Sequence, residues 1–465
     1  MDGKTLSRLI VESYIEDDQR IVDDQARADM YGQGSPMGGL FGFGGVPSAS
    51  QAASQMAHDI TLTAVDLGAV PALVDSVNDL SFALQEANQS EVARARTYAQ
   101  SFTSIFGQQV PASYIDLGNF VQVLKQTRAG GSVSQAIDTV LAALQQAVVA
   151  EKHGSGKKGA TGVSIYFPNS QLFGSAISGP ESYTAIANRF ADESLWDDFL
   201  AFHYTGRSFE AAAHQAAVPQ SGTPVTAPGA GTFELSPIRL SDTVAAPGRP
   251  VLLSTDISHQ NLGYVYFFTG FYDQQSNSIF VADMDYLESS DTREIDGVYY
   301  PVWPEGEFTM EFEWEPLMFA ISDGTESVTA LLTPVTYGAV PEEATYAVDG
   351  IYTYTSGETR SARLYFRDGL LRQVFGFTGD GTTGAPREIY PQQGDRFTVL
   401  ERWMDLDSQG KVVERASQEG GTLTFSDQMF SWQELDAAAG GYIVGFVAED
   451  LDGNKYEQYT TVTVE

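Results

Sequence analysis

Gly162-Val-Ser-Ile-Tyr-Phe167, closed by Pro168, is the stretch on which the reading of this chain turns. Nearly every position is apolar. A short run without alternation suits a strand buried on both faces, as in a parallel sheet covered by helices. Proline ends it because it has no N–H to give to a ladder. A buried strand must find partners for its own N–H and C=O groups, so strands are expected nearby.

The flanking sequence offers helices instead. Residues 4–30 read as one amphipathic helix with Leu6, Leu9, Ile10 and Tyr14 on its apolar stripe. Residues 31–56 form a Gly/Ser/Pro/Ala-rich insert, expected to be a flexible surface loop. A second helix follows Asp66, with Pro71 in its first turn and Leu73, Val77, Leu80 and Leu84 on one face. Asp116 should cap a third, carrying Leu117, Phe120, Val121 and Leu124. A fourth is expected over 132–151 with Val133, Ile137, Val140, Leu141, Leu144 and Val148, and a fifth over 181–204 with Tyr183, Phe190, Trp196, Phe199 and Leu200. The fold expected of 1–205 is thus a partial α/β unit, mostly helices around one buried strand. Its open apolar surface should make 1–205 self-associate when expressed alone.

A Pro/Ala/Gly/Ser-rich linker covers 206–231, and beyond it the period changes to two. Phe308, Met310, Phe312 and Trp314 alternate with Thr309, Glu311 and Glu313, and Ala362, Leu364 and Phe366 repeat the pattern. Asp-Gly pairs at 296–297, 323–324, 368–369, 380–381 and 452–453 are hairpin signals. Two all-β sandwich-like modules are expected, at 232–341 and 342–465, divided at Pro341-Glu342-Glu343.

Composition narrows the function. With 26 basic against 61 acidic residues, the formal charge is −35. Such a polyanion repels nucleic acid and anionic membrane surfaces, and no apolar run approaches the ~18 residues of a membrane helix. There is no cysteine among the 465 residues, so disulfides, thiolate metal sites and a cysteine nucleophile are excluded from this sequence. The histidines, His58, His153, His203, His214 and His259, show no metal-ligand spacing. No cofactor or metal site is expected.

Thr161-Gly-Val-Ser-Ile-Tyr-Phe-Pro168 resembles the Gly-x-Ser-Ile-Tyr-Phe-Pro strand of clostripain-type cysteine peptidases. Leu62-Thr-Ala-Val-Asp-Leu67, Tyr114-Ile-Asp-Leu-Gly118, and Tyr183 with Phe190 and Trp196-Asp-Asp-Phe-Leu200 are similar to further family segments, in the family's order. The resemblance covers roughly 1–205 and implies a caspase-like core. The β modules look like appendages of bacterial members. The family's chemistry uses a histidine in His-Gly and a cysteine in Asp-x-Cys, whose thiolate attacks a peptide carbonyl. Both motifs should precede the helices that open this chain, and neither is present. The resemblance therefore implies the C-terminal part of a peptidase region without its catalytic half, whether truncated, degenerate or split. Such a chain would be inactive alone, with a front-half peptidase polypeptide as its partner and an extracellular or cell-envelope location.

Several motifs imitate sites. His153-Gly154 copies the catalytic His-Gly but follows the wrong helix, and reads as a solvated helix end. Gly154-Ser-Gly-Lys157-Lys158-Gly159 lacks phosphate-loop spacing and reads as a surface loop. Asp450-Leu-Asp452-Gly-Asn454 and Asp405-Leu-Asp407 invite calcium, but a hairpin turn explains the first equally well. No Gly-x-Ser-x-Gly elbow occurs. No catalytic, cofactor-binding or metal residue is assigned. The alternative function is a secreted binding or scaffold protein that takes protein or peptide ligands on an aromatic face of Tyr264, Tyr266, Tyr299, Tyr300, Tyr352, Tyr354, Trp303 and Trp314.

Overall fold

A computed structural model describes residues 1–31, 48–102, 113–127, 130–176, 179–211, 218, 223–340, 343–377, 386–408 and 412–465. Helices lie in the N-terminal part: α1 (Gly3–Ser13), α2 (Gln19–Val22), α3 (Asp24–Tyr31), α4 (Ala49–Met56), α5 (Val70–Ala83), α6 (Gln89–Tyr98), α7 (Leu117–Lys125), α8 (Gly131–Ala147), α9 (Ser170–Phe173), α10 (Pro180–Ile186), α11 (Asn188–Glu193) and α12 (Trp196–Thr205). Among them run strands β1 (Thr61–Val65), β2 (Tyr114–Asp116), β3 (Val148–His153) and β4 (Ser164–Tyr166).

The expected strand is present as β4, but its partner differs from expectation. It pairs antiparallel with β2, Tyr114 facing Tyr166 and Ile115 facing Ile165. β1 and β3 make a second antiparallel pair. Among the described residues of 1–205 there is no parallel pair. Three strands were invisible to helical periodicity. β2 is three residues long and merges into α7, and β3 continues α8 without a polar break, so the helix expected to reach Glu151 stops at Ala147.

What replaces sheet neighbours on β4 is a set of buried side-chain donors. The Trp196 indole N–H donates to the Tyr166 carbonyl at 2.7 Å. Arg96 Nε donates to the Phe167 carbonyl at 3.1 Å, and the Tyr204 hydroxyl to that of Pro168. Phe167, wholly buried, is ringed edge-on by Phe120, Trp196, Phe199 and His203 at 5.3–5.7 Å. At the start of the strand the Asp116 carboxylate accepts from the Asn119 amide (2.9 Å), capping α7 as expected, and from the Thr161 amide and hydroxyl (2.7 and 2.6 Å). One carboxylate thereby fixes both the helix and the entry to β4.

The core stripes of α5, α7 and α8 are buried as their spacing predicts. The other expectations change. The helix predicted over 4–30 is broken into α1, α2 and α3, with Ile15 at φ 70° in the first break. The helix predicted over 181–204 is divided into α10, α11 and α12, where Asn78 Oδ1 takes the Leu195 amide (2.8 Å). Asp66 does not cap α5, whose N-cap is Ala69. It accepts from the Gly68 amide and pairs with Lys4 at 2.8 Å. Of the insert expected to be flexible over 31–56, residues 32–47 lie outside the described residues. Its end is helical: Ser48 and Gln51 form a reciprocal capping box on α4.

The C-terminal part is β structure, and its sandwich character agrees with expectation. A four-stranded sheet, including Val251–His259 and Gly306–Trp314, packs Leu253, Ile257 and Phe312 against Val265, Phe267, Val444 and Phe446 of a fifteen-stranded sheet. The boundary expected at 341 does not divide that sheet. Leu262–Asp273 pairs with Gly440–Asp450, Ser278–Leu287 with Arg396–Leu406, and Leu317–Ser322 with Ser431–Asp436. Two of the three β cores are nested in sequence. One draws on 245–314 and 437–464, while the other, around Tyr352, Phe366, Phe397 and Phe430, comes from residues 321–430. Alternation identifies strands but says nothing about which distant strand each one joins.

Tyr204→Phe keeps the ring and removes the donor to the Pro168 carbonyl. Leaving a buried carbonyl unpaired costs about 1–3 kcal/mol, so chemical denaturation should show a loss of that size with an unchanged m-value.

Candidate functional site

The sequence motifs that imitate sites resolve into structural roles. His153 ends β3 opposite Thr61, and its Nδ1 lies 2.9 Å from the Glu151 carboxylate. In the 154–159 loop the Gly154 amide donates to the Ile60 carbonyl and the Gly156 amide to that of His58, both at 2.9 Å. Those N–H groups are spent on backbone, and a side chain at Gly154 would run into the carbonyls of Ala57 and His58. The stretch is the surface loop expected: Ser155 is exposed, while Gly154 and Gly159 are packed at its ends.

Asp450 accepts from the amides of Asp452, Asn454 and Gly231 and from the Asn454 side chain, at 2.9–3.0 Å. Its oxygens are filled by N–H donors, which a cation cannot share. Among the described residues no group of three or more His, Asp or Glu side chains is placed to hold a metal. The loop that Asp450 shapes presents Asp452 to the N-terminal unit. Ser170 donates its amide (3.1 Å) and its hydroxyl to the Asp452 carboxylate, and Asn169 Nδ2 donates to the Asp452 carbonyl at 3.1 Å. Next to it Thr97 Oγ1 donates to the Leu451 carbonyl (2.8 Å) and the Tyr98 hydroxyl to that of Gly263 (2.9 Å).

This seam also takes up part of the expected aromatic face. Tyr98 stacks on Tyr300 at 5.3 Å and meets Tyr264 edge-on at 5.6 Å. Tyr266, Tyr300, Tyr352, Trp303 and Trp314 are buried, and Tyr264, Tyr299 and Tyr354 are half-buried. Arg96, Thr97 and Tyr98 escaped sequence reading because α6 is rich in alanine and charge. One signal was available: Val92, Ala95, Arg96 and Ala99 share an i, i+3, i+4, i+7 stripe, which places an arginine in the core.

The surface left open lies at α1. Val11 packs inward, while Leu6, Leu9 and Ile10 are 51%, 46% and 54% exposed, with Tyr14 beside them. α1 is held in place by the Lys4–Asp66 pair and by Lys152, whose ammonium donates to the carbonyls of Glu12 and Tyr14 and to Glu16 at 2.7–3.0 Å. A cation at these last carbonyls suits the helix dipole. Leu67, next to Asp66, is 80% exposed. β1 and β3, against which α1 packs, have no other strand partner among the described residues.

Two of the titratable groups in the N-terminal core bear on the acid range. Burial, and then Arg96, pushes His203 down to about 3; its Nδ1 lies 2.7 Å from Gln89 Oε1. Burial, and then Asp197, pushes Asp198 up to about 7. His214 lies outside the described residues. Searches against family models and curated proteins find no match to this chain.

Two measurements follow. Between pH 6.5 and about 3 the unfolded chain protonates His203 and the folded chain does not, so this group removes stability as pH falls. At pH 5 the loss is about 2 kcal/mol. Asp198 contributes the opposite slope, so the expected result is a shallower acid limb in His203→Gln than in wild type. At the seam, Asp452→Ala should speed proteolysis between 206 and 231 several-fold while leaving the β-rich circular dichroism signal in place.

Proposed function

We propose that this chain is a non-catalytic unit of clostripain type. It would be inactive by itself and would seat, on the α1 face and the open edges of β1 and β3, a polypeptide that carries the His-Gly and Asp-x-Cys motifs. The observation that carries this reading is the exposed stripe of Leu6, Leu9 and Ile10 beside two strands that have no further strand partner among the described residues. Apolar stripes held in register on a fixed helix mark association surfaces, and a bare strand edge is a template for another strand. The sequence resemblance supports the identity of the partner, and the absence of cysteine supports inactivity, since thiolate chemistry needs a thiol. A secreted or envelope location belongs to the same proposal. Ligand binding by the tyrosines of the β modules is the weaker reading, because most of those rings are covered.

The test mixes the purified chain with a separately produced polypeptide bearing both motifs. The chain alone should leave arginine-containing peptides uncut, and the mixture should form a 1:1 complex. Leu9→Asp with Ile10→Asp should weaken that complex at least tenfold. Cleavage by the chain alone, or a complex indifferent to the double substitution, would overturn the reading.

A further inference from the structure

A second opening lies away from α1, where three distant segments meet. The hairpin Thr359–Arg367/Leu370–Phe377 turns through Asp368 and Gly369, both with positive φ (55° and 75°), as a two-residue hairpin loop requires. Its ladder slips between Tyr365 and Phe366, so that Arg372 is the extra residue opposite them. A bulge re-aims a side chain. Here Arg372 Nε reaches the Arg367 carbonyl at 3.2 Å, and both arginines line one cleft. The cleft holds about 330 Å3 and is lined also by His58 and the hydroxyl residues Ser54 and Ser155, with Glu343 and Asp368 at its sides.

Which ligand suits it follows from which groups are already satisfied. Glu343 takes the Lys158 ammonium at 2.7 Å, and Asp59 takes His58 Nδ1 at 3.0 Å. Asp368 lies 3.7 Å from Arg372 Nη2, and Glu388 accepts the Tyr390 hydroxyl at 2.8 Å. Each carboxylate around the cleft has a cation or donor. The Arg367 guanidinium has no hydrogen bond or ion pair among the described residues; Asp59, Asp368 and Glu343 act on it only through their fields. Burial disfavours the charge on both arginines, and Arg367 further disfavours that on Arg372. Two like charges are held together, half-buried, with N–H groups left over. The missing partner is an acceptor.

We propose that this cleft binds a tetrahedral oxyanion of the phosphate or sulfate class, gripped by Arg367 and Arg372 and completed by the hydroxyls of Ser54 and Ser155. Planar guanidinium forks match two oxygens of such an anion at once. The volume, about ten times a water's share of the liquid, accommodates phosphate free or as a small monoester. The site uses α4, the 154–157 loop and the β hairpin together, so it exists only when the N-terminal unit sits on the sheet.

The test is calorimetric titration of the full chain at constant ionic strength, with inorganic phosphate in one arm and O-phosphoserine in the other. Saturable one-to-one binding is expected in at least one arm. Arg367→Gln should weaken it at least tenfold and Arg372→Lys, which keeps charge but loses the fork, at least threefold. Arg189→Gln, on the exposed face of α11, should leave it unchanged. Equal affinity in both arms identifies the free anion as sufficient, and tighter binding of O-phosphoserine identifies a monoester. Heats that do not saturate, or that persist unchanged in Arg367→Gln and Arg372→Lys with wild-type melting curves, would overturn the proposal.

Discussion

Three successive carbonyls, those of Tyr166, Phe167 and Pro168, lie in the apolar centre of the N-terminal unit, and each must have a donor. An unmet buried carbonyl costs about 1–3 kcal/mol, a sizeable part of a domain's whole stability. The indole of Trp196, the guanidinium of Arg96 and the hydroxyl of Tyr204 meet them one by one. These three donors come from α6 and α12, so the strand dictates where two helices lie. The aromatic ring around Phe167 follows from that placement. So does the neutral His203, which burial first, and the neighbouring Arg96 second, keep from taking a positive charge there.

The residues that follow this arginine couple the unit to the β sheet: Thr97 donates to the Leu451 carbonyl and Tyr98 to that of Gly263. Asp452 is fastened to Ser170, two residues beyond Pro168. The hairpin loop at 450–454 is held rigid by Asp450 so that Asp452 can be presented at a fixed position. Strand end, helix and loop thus form one hydrogen-bonded assembly, and the linker at 206–231 joins parts already in contact. The tyrosines around it serve the seam for a physical reason: a ring packs as apolar surface while its hydroxyl reaches a carbonyl across the junction, as Tyr98 does with Gly263.

Where residues speak through their own local chemistry, the sequence was readable. The stripes of α5, α7 and α8, the Asp116 cap, the strand before Pro168 and the two-residue turns at Asp296 and Asp368 all follow from spacing or dihedral demand. What failed depended on partners remote in sequence. β1 and β3 pair across more than eighty residues, and the second β core is nested inside the first, neither of which a window of sequence can register. The candidate surfaces divide the same way. The stripe of α1 was visible in the sequence, but that it remains uncovered is a property of the fold. Arg367 and Arg372 looked like ordinary strand arginines until the bulge brought them together.

The capping of β4 also restricts how another polypeptide can join this unit. The Tyr114 carbonyl accepts from the Phe102 amide on the far side of β2, which makes Tyr114 and Tyr166 a non-hydrogen-bonded pair and turns the Tyr166 carbonyl away from β2. That outward carbonyl is the one the Trp196 indole fills. A strand adding there would have to expel a fully buried tryptophan and unseat α12, with loss of the contacts around Phe167. β1 and β3 carry no such side-chain caps among the described residues, and α1 leaves its apolar stripe beside them. Strand addition is therefore blocked where the sequence looked most strand-like.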